Sequence, residues 1–202
     1  MGEDQRLFTV HTDVLTRRSR FLKAARSEMW TEIDKPTLLD NHDCDTFHLY
    51  LHCVYKDAIP DLQLKPEDGP EQLANETFTA LIKLYALADK LQDLASANLA
   101  IDEISRFSEI EDVVPSKPAL DLAYATTPPG STLRRLLVDL YFYDACSDKI
   151  AADAEDFPKD MMVEFIRAYA ASLNTSRSTL NAAREAQCFY HLHDEAHRTC
   201  DG

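Results

Sequence analysis

The stretch from Thr77 to Ile104, TFTALIKLYALADKLQDLASANLAIDEI, constrains this chain more than any other. Leu81, Leu84, Ala88, Leu91 and Ala95 recur at alternating steps of three and four. Those steps keep side chains on one face of a 3.6-residue helix, so the spacing predicts a long helix through this stretch. Its apolar face is broad, which suits a core helix better than an isolated coiled-coil partner.

The segments around it are shorter. In FTVHTDVLTRRSRFLKAA, Phe8 and Val10 alternate with polar residues as a strand would. Beyond them Val14, Leu15, Phe21, Leu22, Ala24 and Ala25 take helical spacing, broken once near Ser19, so two short helices are expected. A second extended piece is expected at Thr37 to Leu39, followed by an acidic turn. A helix then starts near Asp45, with Phe47, Tyr50, Leu51 and Val54 at i, i+3, i+4 and i+7 and Asp43 or Asp45 as its cap. Residues Pro60 to Glu76 read as an acidic loop, and Glu111 to Asp121 as a linker. Ser131 is placed to cap the helix TLRRLLVDLYFYDA, and Pro158 to open another. From Asn174 the chain turns polar and loses its periodicity. The expected organisation is therefore 1–110, a helical extension 111–173 and a Cys/His-containing tail 174–202.

Charge and glycine narrow the function classes. Lysine and arginine number 21 against 35 acidic residues, a formal charge of −14. Such a chain repels phosphate backbones and anionic lipid, and its basic runs, RRSR at Arg17 to Arg20 and Arg134–Arg135, are short, so no nucleic acid is expected as a partner. RRSR reads as a solvated helix face. No apolar stretch approaches the roughly 20 residues that span a bilayer, so no membrane is expected either. The N-terminus MGEDQRLF lacks the apolar core of a secretory signal. Five cysteines at irregular spacings do not form a secreted disulfide framework, which places the protein in a reducing compartment, cytoplasm or nucleus. The four glycines, Gly2, Gly69, Gly130 and Gly202, are isolated, so no phosphate-cradling loop can be assembled from them.

The pieces FTVHTDVLTRRSRFLKAA, TLLDNHDCDTFHLYLHCVY and LIKLYALADKLQDLASANLAIDEI, in that order over Leu7 to Ile104, resemble the BTB/POZ domain. The W-x-E step, the helical C-terminal half and the Y-H-x-H tail are similar to the BTB proteins of filamentous fungi. The resemblance implies an α+β fold: a small sheet with helices, followed by a mostly helical C-terminal region. In that family the F-x-V-H strand pairs with a preceding strand. Here GEDQR leaves room only for a turn, so the first strand is expected to be absent and homodimer formation weakened. In VYKDAI, Asp57 stands where the family usually shows glycine, and Cys53 where an aromatic is common.

The resemblance also implies function. It points to a protein–protein interaction module with protein partners: a self-associating scaffold and possible homodimer, or a substrate adaptor for a cullin-type ubiquitin ligase. Trp30 and Glu32 form a hydrophobic-x-Glu step in the region where BTB adaptors contact the cullin scaffold, and an exposed Trp beside a Glu has the chemistry of an interface hot spot. Two constellations have metal-ligand chemistry. Cys44, His48 and His52 lie at i, i+4 and i+8, although histidines beside a buried stripe are more often plain boundary residues. Cys188, His191, His193 and Cys200, with His197 nearby, offer two thiolates and two imidazoles to a structural zinc that would help fold a polar tail. His11 has no nucleophile and carboxylate assignable around it, and its family role is structural. The rival class is an enzyme with a site between the halves, drawing acids and bases from DACSDKIAADAEDFPKD, Asp144 to Asp160.

Overall fold

The computed structural model describes residues 7–29, 43–62, 69–145, 147–173 and 189–193. Among them are nine α-helices: α1 (Thr12–Arg18), α2 (Arg20–Met29), α3 (Cys44–Lys56), α4 (Pro70–Lys90), α5 (Leu94–Glu111), α6 (Lys117–Thr126), α7 (Thr132–Asp139), α8 (Ser147–Asp153) and α9 (Lys159–Ser172). α4 lies at the centre, with α3, α5 and α6 packed around it, and α7 carries α9. One apolar cluster runs through them from Leu49 to Met161, so the expected linker at 111–121 separates no cores; α6, beginning within it, packs directly on α4.

The α+β expectation is corrected: the described residues are all-helical and contain no strand. Phe8 to His11 are the clearest case. Residues 7–10 carry no regular structure, and His11 is extended with no ladder partner. A lone strand leaves its backbone groups without hydrogen bonds, and side chains take over here. Tyr55 Oη accepts the His11 backbone N–H at 3.1 Å and lies 3.0 Å from its Nδ1. Phe8 stands edge-on to Phe47 and His48, each ring pair 4.8 Å apart. This segment is anchored to α3, not to a sheet. The second extended piece, Thr37 to Leu39, lies outside the described residues.

The helix expected over 77–104 is two helices. α4 starts earlier, at Pro70, with Gly69 before it at φ +82°. Pro70 suits the first turn because its missing N–H is not needed there. α4 ends where Gln92 turns left-handed at φ +54°, and Asp93 caps α5 by accepting the Ser96 N–H at 3.1 Å and its Oγ–H at 2.8 Å. Leu81, Leu84, Ala88 and Leu91 are buried as the periodicity requires, whereas Ala95, across the turn, is exposed. The two helices fold against each other, which a straight helix would not permit.

That turn is the foot of a buried polar knot. Asp93 and Ser96 are buried, and Arg18 reaches them from α1: Nη2 donates to Ser96 Oγ at 3.3 Å and Nε lies 3.4 Å from Asp93 Oδ1. Arg18 Nη1 also donates to Asp57 at 2.8 Å. So RRSR is a solvated face at Arg17 and Arg20 but not at Arg18. Ser19, fully buried, breaks the α1–α2 helix and donates to Leu91 O at 2.5 Å. Its Oγ then accepts the Leu22 N–H, capping α2. The Tyr50 hydroxyl is buried beside this knot with no hydrogen bond of its own. Burial first, then the Asp93 carboxylate, keeps that phenol protonated far above its ordinary range.

A second knot ties the C-terminal helices together. Arg134, in α7 and almost wholly buried, donates from Nη2 to the Tyr124 and Thr127 carbonyls and from Nε to Thr127 Oγ1. These carbonyls belong to the last turn of α6, which a cation satisfies well. The same guanidinium lies 4.4 Å from the Tyr124 ring centre and faces Glu164 and Asp160 of α9. Tyr124 in turn donates to Glu164 at 2.7 Å.

Candidate protein-interaction surface

α7 does not stop at Asp139. The next five residues, Leu140–Asp144, continue as a wider π turn, closed by the Ala145 N–H donating to Leu140 O at 3.1 Å. A π turn inserts an extra residue per turn and so changes which side chains face the core; such bulges concentrate at functional positions. Tyr141 is driven inward, with its hydroxyl 2.7 Å from Pro115 O and 3.0 Å from Asp153 Oδ2. Phe142 and Tyr143 stay half-buried at the surface, their rings 4.7 Å apart.

α9 continues this edge. Its inward side is Met161, Phe165 and Ala168, against Phe157 and α7. Its outward side carries Val163, Ile166, Tyr169 and Leu173, which are 42%, 57%, 54% and 68% exposed. At 100° per residue these four fall within about one third of the helix circumference, a second apolar stripe on one helix. Phe142 joins the stripe to the π turn, 5.8 Å from Phe165 and 6.5 Å from Tyr169. Contiguous exposed aliphatic and aromatic side chains mark sites where another surface docks. Its signal in the sequence is the run MMVEFIRAYAASL, where apolar residues occupy too much of the circumference for one buried face.

The residues singled out from the sequence are not gathered into one site. Trp30 and Glu32 lie outside the described residues, as do Cys188, His197 and Cys200. Cys44 is half-buried at the start of α3, His48 meets Phe8 edge-on, and His52 Nδ1 faces Ala58 O at 3.0 Å. Among the described residues no cluster of three or more His, Cys, Asp or Glu could hold a metal ion. His191 Nε2 meets Asp102 Oδ1 at 2.6 Å, and its ring centre is 6.3 Å from that of His193. His191 therefore has a carboxylate partner at Nε2, so a zinc ion would use its other ring nitrogen or share that carboxylate.

Two surface hollows lie among the described residues. A cavity of about 460 Å³ lies between α4, α6 and α8, lined by Glu71, Lys117, Tyr141, Lys149, Asp153 and Phe157. Its lysines already pair with carboxylates, Lys117 with Asp121 and Lys149 with Asp153, each at 3.0 Å. Of the acidic stretch behind the enzyme reading, Asp153 and Asp156 line this cavity, whereas Asp148, Glu155 and Asp160 are exposed and not part of its lining. A second hollow of about 340 Å³ is lined by Asp43, Thr46, Lys83, Asp89 and Thr126. Burial raises the Asp89 carboxyl above its ordinary range, while Lys83 binds Asp43 at 2.7 Å. No helix among the described residues is long and apolar enough to cross a membrane.

No protein-family model, no curated protein and no solved structure matches this chain.

Proposed function

We propose that this chain is a protein–protein interaction module whose working surface is the outward face of α9 with the Phe142–Tyr143 edge, and that it takes a second copy of itself as partner. The observation that carries the reading is the stripe Val163, Ile166, Tyr169 and Leu173. Among the described residues the other exposed large hydrophobics, Leu7, Phe21, Tyr55 and Ile110, are spread over separate segments, whereas these four line one helix. From Val163 to Leu173 the stripe runs about 15 Å, enough for a helix-on-helix contact. Two aliphatic stripes of the same shape cover each other across a two-fold axis. The charge of −14 opposes association at long range, but salt confines that repulsion to about 8 Å. The BTB/POZ resemblance supports the same functional class without the sheet. A cullin-scaffold contact is carried by that resemblance alone, through Trp30 and Glu32.

Light scattering of the full chain across a concentration series tests this. The wild type is expected to move from monomer to dimer, and a chain carrying Ile166→Glu and Tyr169→Glu to stay monomeric with its helical content intact. A wild type that is monomeric throughout ends the reading.

A further inference from the structure

Residues 189–193, Phe-Tyr-His-Leu-His, lie across α5 and α7 as a non-helical segment, and polar side chains from those two helices hold it. The holding residues come in i, i+4 pairs: Asn98 and Asp102 on α5, Arg135 and Asp139 on α7. Residues four apart share a helix face, so each helix offers two groups to one groove. Asn98 grips the backbone of Leu192 at both ends of its amide: Oδ1 accepts the Leu192 N–H at 2.7 Å and Nδ2 donates to Leu192 O at 3.0 Å. Arg135 donates to Phe189 O at 2.8 Å, with its guanidinium 5.0 Å from the Phe189 ring centre and 5.7 Å from that of Tyr190. Tyr190 donates to Asp139 at 2.7 Å, and His191 meets Asp102.

These contacts combine two kinds of readout. Main-chain bonds at Phe189 and Leu192 give affinity for any polypeptide, while Asp139, Asp102 and Arg135 read the Tyr hydroxyl, the imidazole and the aromatic rings. The walls of the groove are set by the core: Ile101, Ile104, Leu133, Leu136 and Leu137 of α5 and α7 are fully buried, whereas Tyr190 and Leu192 are half-buried and pack against that core. Asp102 and Arg135 sit at the surface. A preformed surface with backbone-gripping side chains is how proteins hold peptides, because the ordering cost falls on the peptide alone.

We propose that the α5–α7 groove is a peptide-binding site for the pattern aromatic–Tyr–His–apolar, occupied in cis by residues 189–193 and able to take the same pattern from another polypeptide. The covalently attached segment acts as an internal competitor. Its effective concentration is on the order of millimolar, so a foreign peptide binds in proportion to how often the groove is vacated. This site is separate from the α9 face and stands or falls independently of it.

The test uses a fluorescent synthetic peptide of residues 187–195 carrying Cys188→Ser, titrated into the full chain. A full chain with Tyr190→Ala and Leu192→Ala is expected to bind it saturably, at least about ten-fold tighter than the wild type does, because the cis competitor is gone. Adding Asn98→Ala should weaken that binding at least about ten-fold, and a scrambled peptide should not bind. In the wild type, excess peptide should speed hydrogen exchange of the Leu192 amide by displacing it from Asn98. A folded double variant that binds no peptide, or that binds the scrambled one equally, overturns the proposal. So does a double variant that cannot fold, since the segment would then be a structural part of the core. An unchanged Leu192 amide under excess peptide overturns it as well.

Discussion

Asp43 accepts the Thr46 N–H at 2.7 Å and the Lys83 ammonium at 2.7 Å, so one carboxylate caps α3 and ties it to α4. Partial burial alone would raise its pKa, but Lys83 and the capping N–H outweigh it and hold the group at about 2. The folded value lies below the roughly 3.9 of an unfolded Asp, so its stabilisation is complete above about pH 4 and fades as pH falls through about 2. Asp43→Ala is expected to cost about 1 kcal/mol at pH 7, read from urea midpoints, and to flatten the stability curve between those pH values. Cys53 shifts the other way. Burial pushes its thiol up to about 12; the nearby Arg18 pulls against this and Asp93 adds to it. Stability from this neutral thiol is therefore complete below about pH 8.5, where an unfolded Cys starts to ionise, and is lost as pH rises toward 12. In the folded chain Cys53 should resist alkylation at pH 8 and react only when denaturant unfolds it, which mass mapping of labelled peptides detects. Asp43 could be found from sequence as one of two candidate caps, whereas Cys53 stood outside the expected stripe Phe47, Tyr50, Leu51 and Val54. Their ionisation states could not be read there, because Lys83 and Arg18 arrive from 40 and 35 positions away.

At the scale of elements, the α4–α5 turn shows how periodicity misleads. A step of four from Leu91 to Ala95 continues the helical pattern on paper, yet the chain reverses between them. The competing signal was Asp93, a strong N-cap residue three positions before Ser96, whose preference for a non-helical backbone helps end α4. Two substitutions probe the turn. Gln92 is exposed in a left-handed conformation that disfavours side chains, so Gln92→Gly should stabilise the chain by roughly 0.5 to 1 kcal/mol in chemical denaturation. Asp93→Ala removes the cap and leaves the Arg18 guanidinium half-enclosed beside the vacated carboxylate position, an expected loss of about 3 kcal/mol or more. Asp93→Asn, which keeps the cap but not the charge, should fall between. The same comparison explains Asp57: its φ of +53° suits a glycine, but the Arg18 bond at 2.8 Å gives the carboxylate a use that glycine lacks.

For the whole molecule, Arg134 joins α6, α7 and α9, and of α9's apolar residues only Met161 is fully buried while Met162, Phe165 and Ala168 are half-buried. It holds the last-turn carbonyls of α6 and faces the acidic side of α9, so its removal leaves buried acceptors unpaired. Arg134→Ala is expected to cost about 3 kcal/mol and to raise hydrogen exchange across Lys159–Ser172 while α4 and α5 keep their protection. The sequence by itself located the break at Ser19, the cap at Ser131, Asp43 as one of two candidate caps, and the buried positions Tyr50, Val54, Leu81, Leu84, Ala88 and Leu91, all from local preferences and spacing. It missed α8, the starts of α4 and α6 inside an expected loop and linker, and the burial of Leu49 and Cys53 in place of Phe47 and Leu51. It did not decide whether Phe8–His11 belongs to a sheet, because an alternating pattern specifies an extended backbone but not the partner that completes its hydrogen bonds. The partner here is Tyr55, on a helix. Nor did it reveal the groove that holds Phe189 to His193, whose two walls are 37 residues apart between Asn98 and Arg135. Local energies choose helix or turn; only long-range packing brings one helix face to another, and in this chain both candidate surfaces arise at that second stage.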